Sequence, residues 1–218
     1  MQMRVACVGY RAWALRIYEH LLINTEHEVL VIGSKEKYDK KIIMDYNPDV
    51  VLFYGWSWKI EPEIFKNYKS IMLHPSPLPE FRGGSPIQNQ IIRGVVNSKV
   101  TLFVIGEEYD AGDVVAQGPL SLSGTITEIF DRLTKIGTSL TVKILREGMQ
   151  PEKQDDSKAT YFSRRKPEQS EISLDEIKNQ TGEHLYNKIR MLGDPYPNAF
   201  IRTSDGKKLL IKLAELGE

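Results

Sequence analysis

The chain has one cysteine, no surplus of either charge and no apolar run long enough to cross a bilayer, and each shortage excludes a class of protein. Cys7 alone cannot close an intramolecular disulfide, and it lies in the apolar run Val5-Ala6-Cys7-Val8. A disulfide scaffold is therefore excluded, and a reducing cytoplasm is the expected compartment. Lysine plus arginine and aspartate plus glutamate number 29 each; without a global positive field, nucleic acid is not an expected partner. The most apolar later stretch, Val50 to Trp56, is far shorter than the ~20 residues of a membrane helix. Arg11 interrupts the amino-terminal run before it could form a signal-peptide core. Several catalytic motifs are missing too. Gly9-Tyr10-Arg11-Ala12-Trp13 lacks the GxGxxG spacing of a dinucleotide site, and there is no Walker sequence or nucleophile elbow. His20, His27, His74 and His184 are scattered with no HExxH or cysteine pairing, so a metal centre is not expected.

What is present is a globular pattern, 41% hydrophobic and 27% charged over 218 residues, enough for one well-filled domain and a small appendage. Short β-rich runs alternate with helical ones, which predicts an α/β fold with a doubly wound, mostly parallel sheet. Strands are expected over 3–9, 27–33, 49–54, 69–73, 99–105 and 113–121. Ala14, Leu15, Tyr18, Leu21 and Leu22 recur at helical spacing and give the first crossover helix its apolar face. Asn47-Pro48-Asp49 ends the second helix, because the residue before a proline is pushed out of helical geometry. Ser85 to Gly94 reads as a helix with Pro86 in its first turn. A longer one starts at Thr125, where Glu128 completes a capping box. Residues 1–150 form the expected main domain. A polar stretch cut by Pro151 and Pro167 makes 151–170 a surface connector, and 171–218 form a small α+β appendage with a helix over 181–192 and a hairpin at Ser204-Asp205-Gly206.

Three clusters follow predicted strands, where open α/β sheets place their ligand crevices. The densest is Leu73-His74-Pro75-Ser76-Pro77-Leu78-Pro79-Glu80-Phe81-Arg82-Gly83-Gly84-Ser85-Pro86-Ile87-Gln88. Prolines stiffen it, and Gly83-Gly84 lets backbone amides approach a ligand. A strand-end histidine that merely packs is the competing reading. Glu107-Glu108-Tyr109-Asp110-Ala111-Gly112-Asp113 either holds a protonated histidine or is a solvated acidic turn. Tyr54-Gly55-Trp56-Ser57-Trp58-Lys59-Ile60 suits a flat, partly apolar ligand, with core packing as the alternative.

The order of these clusters resembles the folate-dependent formyltransferase family. That family includes methionyl-tRNA formyltransferase, glycinamide ribonucleotide formyltransferase and the sugar N-formyltransferases. The resemblance covers most of residues 3–150, and Tyr161-Phe162-Ser163-Arg164-Arg165 and Pro195-Tyr196-Pro197-Asn198-Ala199-Phe200 resemble the family's accessory region. It implies a Rossmann-like formyltransferase fold and transfer of a formyl group from N10-formyltetrahydrofolate to an amine. His74 matches the family's histidine, which stabilises the oxyanion or relays a proton. Asp110 matches its aspartate, which orients that histidine and helps remove the amine proton. The pterin is implied between Trp58, Lys59 and Ile60 and the loop carrying Val104, Ile105, Glu107, Tyr109 and Asp110, held mostly by backbone groups. The amine substrate is implied near Tyr10 and Arg11 and along Ser76, Arg82, Gly83 and Gly84, with an exposed helix-face arginine as the plain alternative for Arg11. One position departs from the pattern. The family reads Asn-x-His and this chain reads Met72-Leu73-His74; a thioether cannot donate to an oxyanion. A backbone amide, a water, protonated His74, Gln88 or Asn89 are the candidate substitutes.

A tRNA acceptor calls for a sizeable basic second domain, which the short stretch after the connector does not supply. Glycinamide ribonucleotide formyltransferase typically lacks such an extension. By elimination the chain resembles the short sugar N-formyltransferases, which modify a nucleotide-linked amino sugar such as an NDP-amino-dideoxyhexose or CMP-pseudaminic acid. A formyltetrahydrofolate hydrolase and a non-catalytic folate or sugar-nucleotide binding module, the latter motivated by Met72, are the rival readings. The carboxyl-terminal hairpin is a candidate surface for a homodimer.

Overall fold

The computed structural model describes residues 2–217. Its centre is a six-stranded sheet of β1 (Arg4–Val8), β2 (Glu28–Ile32), β3 (Val50–Tyr54), β4 (Lys69–His74), β6 (Asn97–Val104) and β7 (Val114–Ser121), in the order β2-β1-β3-β4-β6-β7. The first four pair in parallel, and β6 and β7 close one side as antiparallel neighbours. Helices α1 (Ala12–Asn24), α2 (Lys40–Tyr46) and α3 (Pro62–Asn67) make the crossovers, so the sheet is covered on both faces. One face buries Val5, Cys7, Leu52, Tyr54 and Leu73 against α1 and the long helix α5 (Ile126–Glu147). The other buries Ala6, Val8, Val51 and Phe53 beside Ile43 of α2 and Ile64 of α3. The chain leaves β1 in one direction to β2 and returns on the other side to β3. That reversal of strand order opens a crevice above the carboxyl ends of β1 and β3. Tyr18 of α1 fixes this point. Its buried hydroxyl is shared between the Val8 and Leu52 carbonyls at 2.9 and 3.0 Å and accepts the Tyr54 N–H at 2.8 Å.

The capping box at Thr125 and Glu128 forms as the sequence predicts. Helix α4 (Pro86–Ile91) is shorter than its predicted 85–94. Arg93 and Gly94 donate to Gln90 and Ile91, bonds of three-residue reach that tighten the end into a turn. Residues 151–169 are largely exposed, but they are pinned. Strand β8 (Tyr161–Phe162) runs parallel to β5 (Arg82–Gly83), and Gly84 donates to the Phe162 carbonyl. Helix α6 (Leu174–Asn179) was not expected; it is a single capped turn and a half, too short to show a period. Helix α7 (Gly182–Arg190) and the hairpin of β9 (Ala199–Arg202) and β10 (Lys208–Ile211) complete the chain. Ile172, Ile189, Met191, Leu192 and Ala199 join the main hydrophobic cluster and build no second one. No helix among the described residues is long and apolar enough to cross a membrane.

Candidate active site

A cleft of about 700 Å³ opens at the carboxyl ends of β1, β3 and β4, within the size range of small-molecule sites. His74 ends β4 and is 5% exposed. Its Nε2 lies 2.8 Å from the Phe81 carbonyl, a group that only accepts, so Nε2 carries the hydrogen. In the neutral ring Nδ1 then carries the lone pair, and it faces Asp110 Oδ2 at 3.6 Å. That is beyond direct hydrogen-bond reach and within the looseness common in unliganded sites. Asp110 is oriented by the Gly83 N–H, which donates to Oδ2 at 2.7 Å. Gln154 of the connector donates to the carbonyls of Asp110 and Gly112 at 2.9 and 2.7 Å. Asp110, Phe81 and Ser85 all adopt positive φ, at 54°, 58° and 50°, a conformation non-glycine residues hold only where their surroundings enforce it.

Two glycines are required by close approach. A Cβ on Gly84 would lie 2.4 Å from the Arg164 Cα, and one on Gly112 would lie 1.8 Å from the Val104 carbonyl oxygen. The first lets the connector cross the His74 loop; the second lets the Asp110 loop fold against β6. The connector thereby becomes a wall of the cleft, contributing Phe162, Ser163, Arg164, Arg165 and Lys166. Of these, the sequence singled out the Tyr161–Arg165 stretch by resemblance alone, while the polar composition of the segment read as a solvated link.

The structure brings His74, Asp110, Trp58, Lys59, Tyr109, Arg11, Gly83 and Gly84 to this cleft. The other expected site residues do not line the cleft. Arg82 is 1% exposed and spent: its guanidinium donates to Gln154 Oε1, Asp156 Oδ1 and the Tyr161 hydroxyl. It clamps the connector with four of its five N–H groups and does not line the cleft. Ser76 is fully buried, its hydroxyl donating to the Glu80 carbonyl and its own carbonyl accepting from Thr101. Glu107 points into solvent, where the Lys66 ammonium pairs with it at 2.7 Å and holds its carboxyl below the usual range. Ile60 is buried in the lesser core cluster, and Val104 and Ile105 pack against core residues with their N–H groups bonded to Asp113 and Ser70. Tyr10 supports the site from outside, its hydroxyl on Ser57 Oγ and its ring 5.0 Å from that of Trp58.

The cleft is electrostatically lopsided. Arg11, Lys59, Arg164, Arg165 and Lys166 line it, against the single carboxylate of Asp110. Burial pushes the Arg165 guanidinium down, as does the Arg93 charge behind it, which makes an anion at this wall more welcome. Burial pushes the Tyr196 phenol up while the Arg11 guanidinium pulls the other way, and Arg11 lies over the Tyr196 ring at 5.5 Å. Met72, where the resemblance expects an amide, packs with the lesser cluster and reaches the cleft. Of the proposed substitutes, Asn89 is spent, its amide nitrogen bonded to the carbonyls of Gly84 and Ser163.

The geometry has counterparts of known identity. The chain is similar to the methionyl-tRNA formyltransferase of Bacillus cytotoxicus, 34% identical over 179 residues, 78% of this chain. It spans about half, 55%, of the length of that curated relative. A structure of methionyl-tRNA formyltransferase from Clostridium thermocellum superposes with a TM-score of 0.85 at 33% identity, covering 96% of this chain and 97% of that one. HypX from Aquifex aeolicus in complex with tetrahydrofolic acid matches at 25% identity with a TM-score of 0.82, over 96% of this chain and 37% of that one. A sugar N-formyltransferase from a Shewanella species shares the fold, with a TM-score of 0.74 at 19% identity and 99% of both chains covered. The formyl transferase family model matches residues 17–145, a span that takes in the second half of α1, the His74 loop and the Asp110 loop. With more than half of its length under that model, and a histidine and a carboxylate meeting over a folate-sized cleft, this chain belongs to the formyl transferase family.

Proposed function

We propose that the chain transfers the formyl group of N10-formyltetrahydrofolate to the primary amine of a nucleotide-linked amino sugar, of the NDP-amino-dideoxyhexose or CMP-pseudaminic acid kind. One observation carries this reading: His74 and Asp110 meet in a cleft whose remaining wall holds five cations and no second carboxylate. Arginine forks and lysine ammonium groups suit the phosphates of a nucleotide carrier. Trp58 and Tyr109 suit the flat ring of a folate.

In this reading the amine attacks the formyl carbon, a C–N bond forms, and the carbonyl electron pair moves to oxygen. The amine must shed a proton. With Nε2–H held by Phe81, His74 Nδ1 and the Asp110 carboxylate are the two bases that face each other, and together they take that proton. The imidazolium so formed sits beside a carboxylate that compensates it. Collapse of the oxyanion breaks the bond from carbon to N10 of the folate, and N10 takes the proton back as tetrahydrofolate leaves.

The test is an incubation of the purified chain with N10-formyltetrahydrofolate and a panel of nucleotide amino sugars, read by mass spectrometry. A formyl group added to one of them is the expected result. A second reading, methionyl-tRNA as acceptor, is favoured by the 33% identity along nearly all of the Clostridium thermocellum chain. Formyl-methionyl-tRNA as the only product would replace the first reading by the second. Formate release without any amine would mark a hydrolase, and folate binding without turnover a binding module.

A further inference from the structure

We propose that the side-chain amide of Gln88 donates the hydrogen bond to the oxyanion, in place of the group missing from position 72; this rests on the formyl-transfer reading above. The starting observation is an idle donor. Gln88 is 2% exposed, lines the cleft together with His74, and its Nε2 has no hydrogen-bond partner. The Tyr196 hydroxyl faces this amide, which pulls the phenol down as a hydrogen-bond donor does, but the contact falls short of hydrogen-bond geometry and leaves the N–H free for a better acceptor.

The neighbouring amides make the idleness informative. Asn89 donates to Gly84 and Ser163, Gln90 donates to Pro75 and Pro86 while accepting from Ser98, and Gln154 donates to Asp110 and Gly112. Each of these three holds the backbone of the cleft walls in place. Gln88 lies on the same short helix as the first two and does none of that work. A buried N–H left unpaired destabilises a fold, so an amide kept in that state is one whose acceptor arrives with the ligand. Trp56 Nε1 is the other unpartnered buried donor at this cleft. It belongs to the aromatic cluster of Tyr38, Phe53 and Trp58 and is bound to that cluster by its ring. Gln88 rides on α4, which follows the His74 loop directly, and Pro86 in its first turn leaves one amide N–H fewer to compete for an anionic oxygen.

The experiment compares wild type, Gln88→Met and the double variant Gln88→Met with Met72→Asn. Gln88→Met keeps length and volume and removes the donor. Steady-state kinetics with N10-formyltetrahydrofolate and the amine identified by the panel should show kcat lowered by about 10²- to 10³-fold, with the folate KM unchanged. The double variant, with an amide restored to position 72, should regain at least tenfold in kcat. Thermal unfolding supplies the control that a structural role would fail: Gln88→Met should melt at or above the wild-type temperature, because an unpaired polar group has been replaced by an apolar one. Equal kcat in wild type and Gln88→Met overturns the assignment while leaving formyl transfer standing, and so does a fall in melting temperature that accounts for the lost activity. Wild-type protein that releases formate with no acceptor overturns the choice of amine alone, since water attacking the formyl carbon raises the same oxyanion and the Gln88→Met comparison still tests its donor; wild-type protein with no turnover on amine or water overturns both readings together.

Discussion

His74 and Asp110 are separable by what each substitution leaves behind. Asp110→Asn keeps an oxygen for the Gly83 N–H and removes the charge that compensates an imidazolium. It should lower formyl transfer by about 10²- to 10⁴-fold with the far-ultraviolet circular dichroism and melting temperature little changed. Asp110→Ala also strips the Gly83 N–H of its partner, so it should lose both activity and stability. His74→Ala should abolish transfer with the fold intact; wild-type rates in either Asp110→Asn or His74→Ala would refute the pair. Arg82 gives the opposite signature. Arg82→Ala removes a buried side chain and its hydrogen bonds to Gln154 Oε1 and the Tyr161 hydroxyl and should cost about 1–3 kcal/mol, while the folate KM in the folded fraction stays as in wild type. The contrast explains what a sequence can tell about single residues. Histidine at a strand end, beside prolines and glycines, announces a site because strand ends open the crevice. Arginine in the same loop carries no such label, since its partners at 154, 156 and 161 lie more than 70 residues away.

Elements were legible where they carry their own signal and illegible where a partner makes them. Strands β1 and β3 are uninterrupted apolar runs, as sheets covered on both faces require, and α5 announces its start through Thr125 and Glu128. Thr125→Ala should cost about 1 kcal/mol, roughly 2–4 °C in melting temperature for a chain of this size, and leave kcat untouched, because the α5 residues that line the cleft, Phe130 and Leu133, lie beyond the first turn that Thr125 caps. The paired strands β5 and β8 have two residues each and exist because Gly83 and Gly84 let the connector lie flat across the loop. Nothing in the residues 151–170 marks them as half of a sheet. Gly84→Ala tests that crossing: a Cβ pressed against the Arg164 backbone must push the connector outward. The expected outcome is faster amide exchange over residues 160–165 and a raised KM for the anionic substrate, with α5 unaffected. A KM equal to wild type would mean that the connector's cations do not contact the substrate.

At the scale of the whole molecule, zero net charge conceals a strong division of charge. Five of the 29 lysines and arginines line one cleft against a single carboxylate, and carboxylates elsewhere serve as fastenings. The appendage shows how that division bears on stability. It shares the main core through Ile189, Met191 and Leu192, and its own helices α6 and α7 are tied together by Lys188, buried with its ammonium on both Glu176 oxygens at 2.8 and 2.6 Å and on the Glu171 carbonyl at 2.6 Å. His184 adds a contact to Glu176 at 3.3 Å. Burial pushes the Glu176 carboxyl up, but Lys188 and then His184 outweigh it and leave the group below its ordinary value. A carboxylate held low in the folded state stabilises fully above its unfolded pKa, about 4.3, and loses that contribution as pH falls through the lower folded value. Wild type should therefore be more stable than Glu176→Gln from neutrality down to about pH 4.5, and the two melting curves should converge below that. Lys188 is the reason for the convergence: once Glu176 is protonated, both proteins bury an ammonium with only the Glu171 carbonyl and a neutral neighbour to meet it. A difference in melting temperature that stays constant from pH 7 to pH 3 would show that Glu176 acts through shape and hydrogen bonding alone, and that α6 is held to α7 within the appendage without help from the charge of this ion pair.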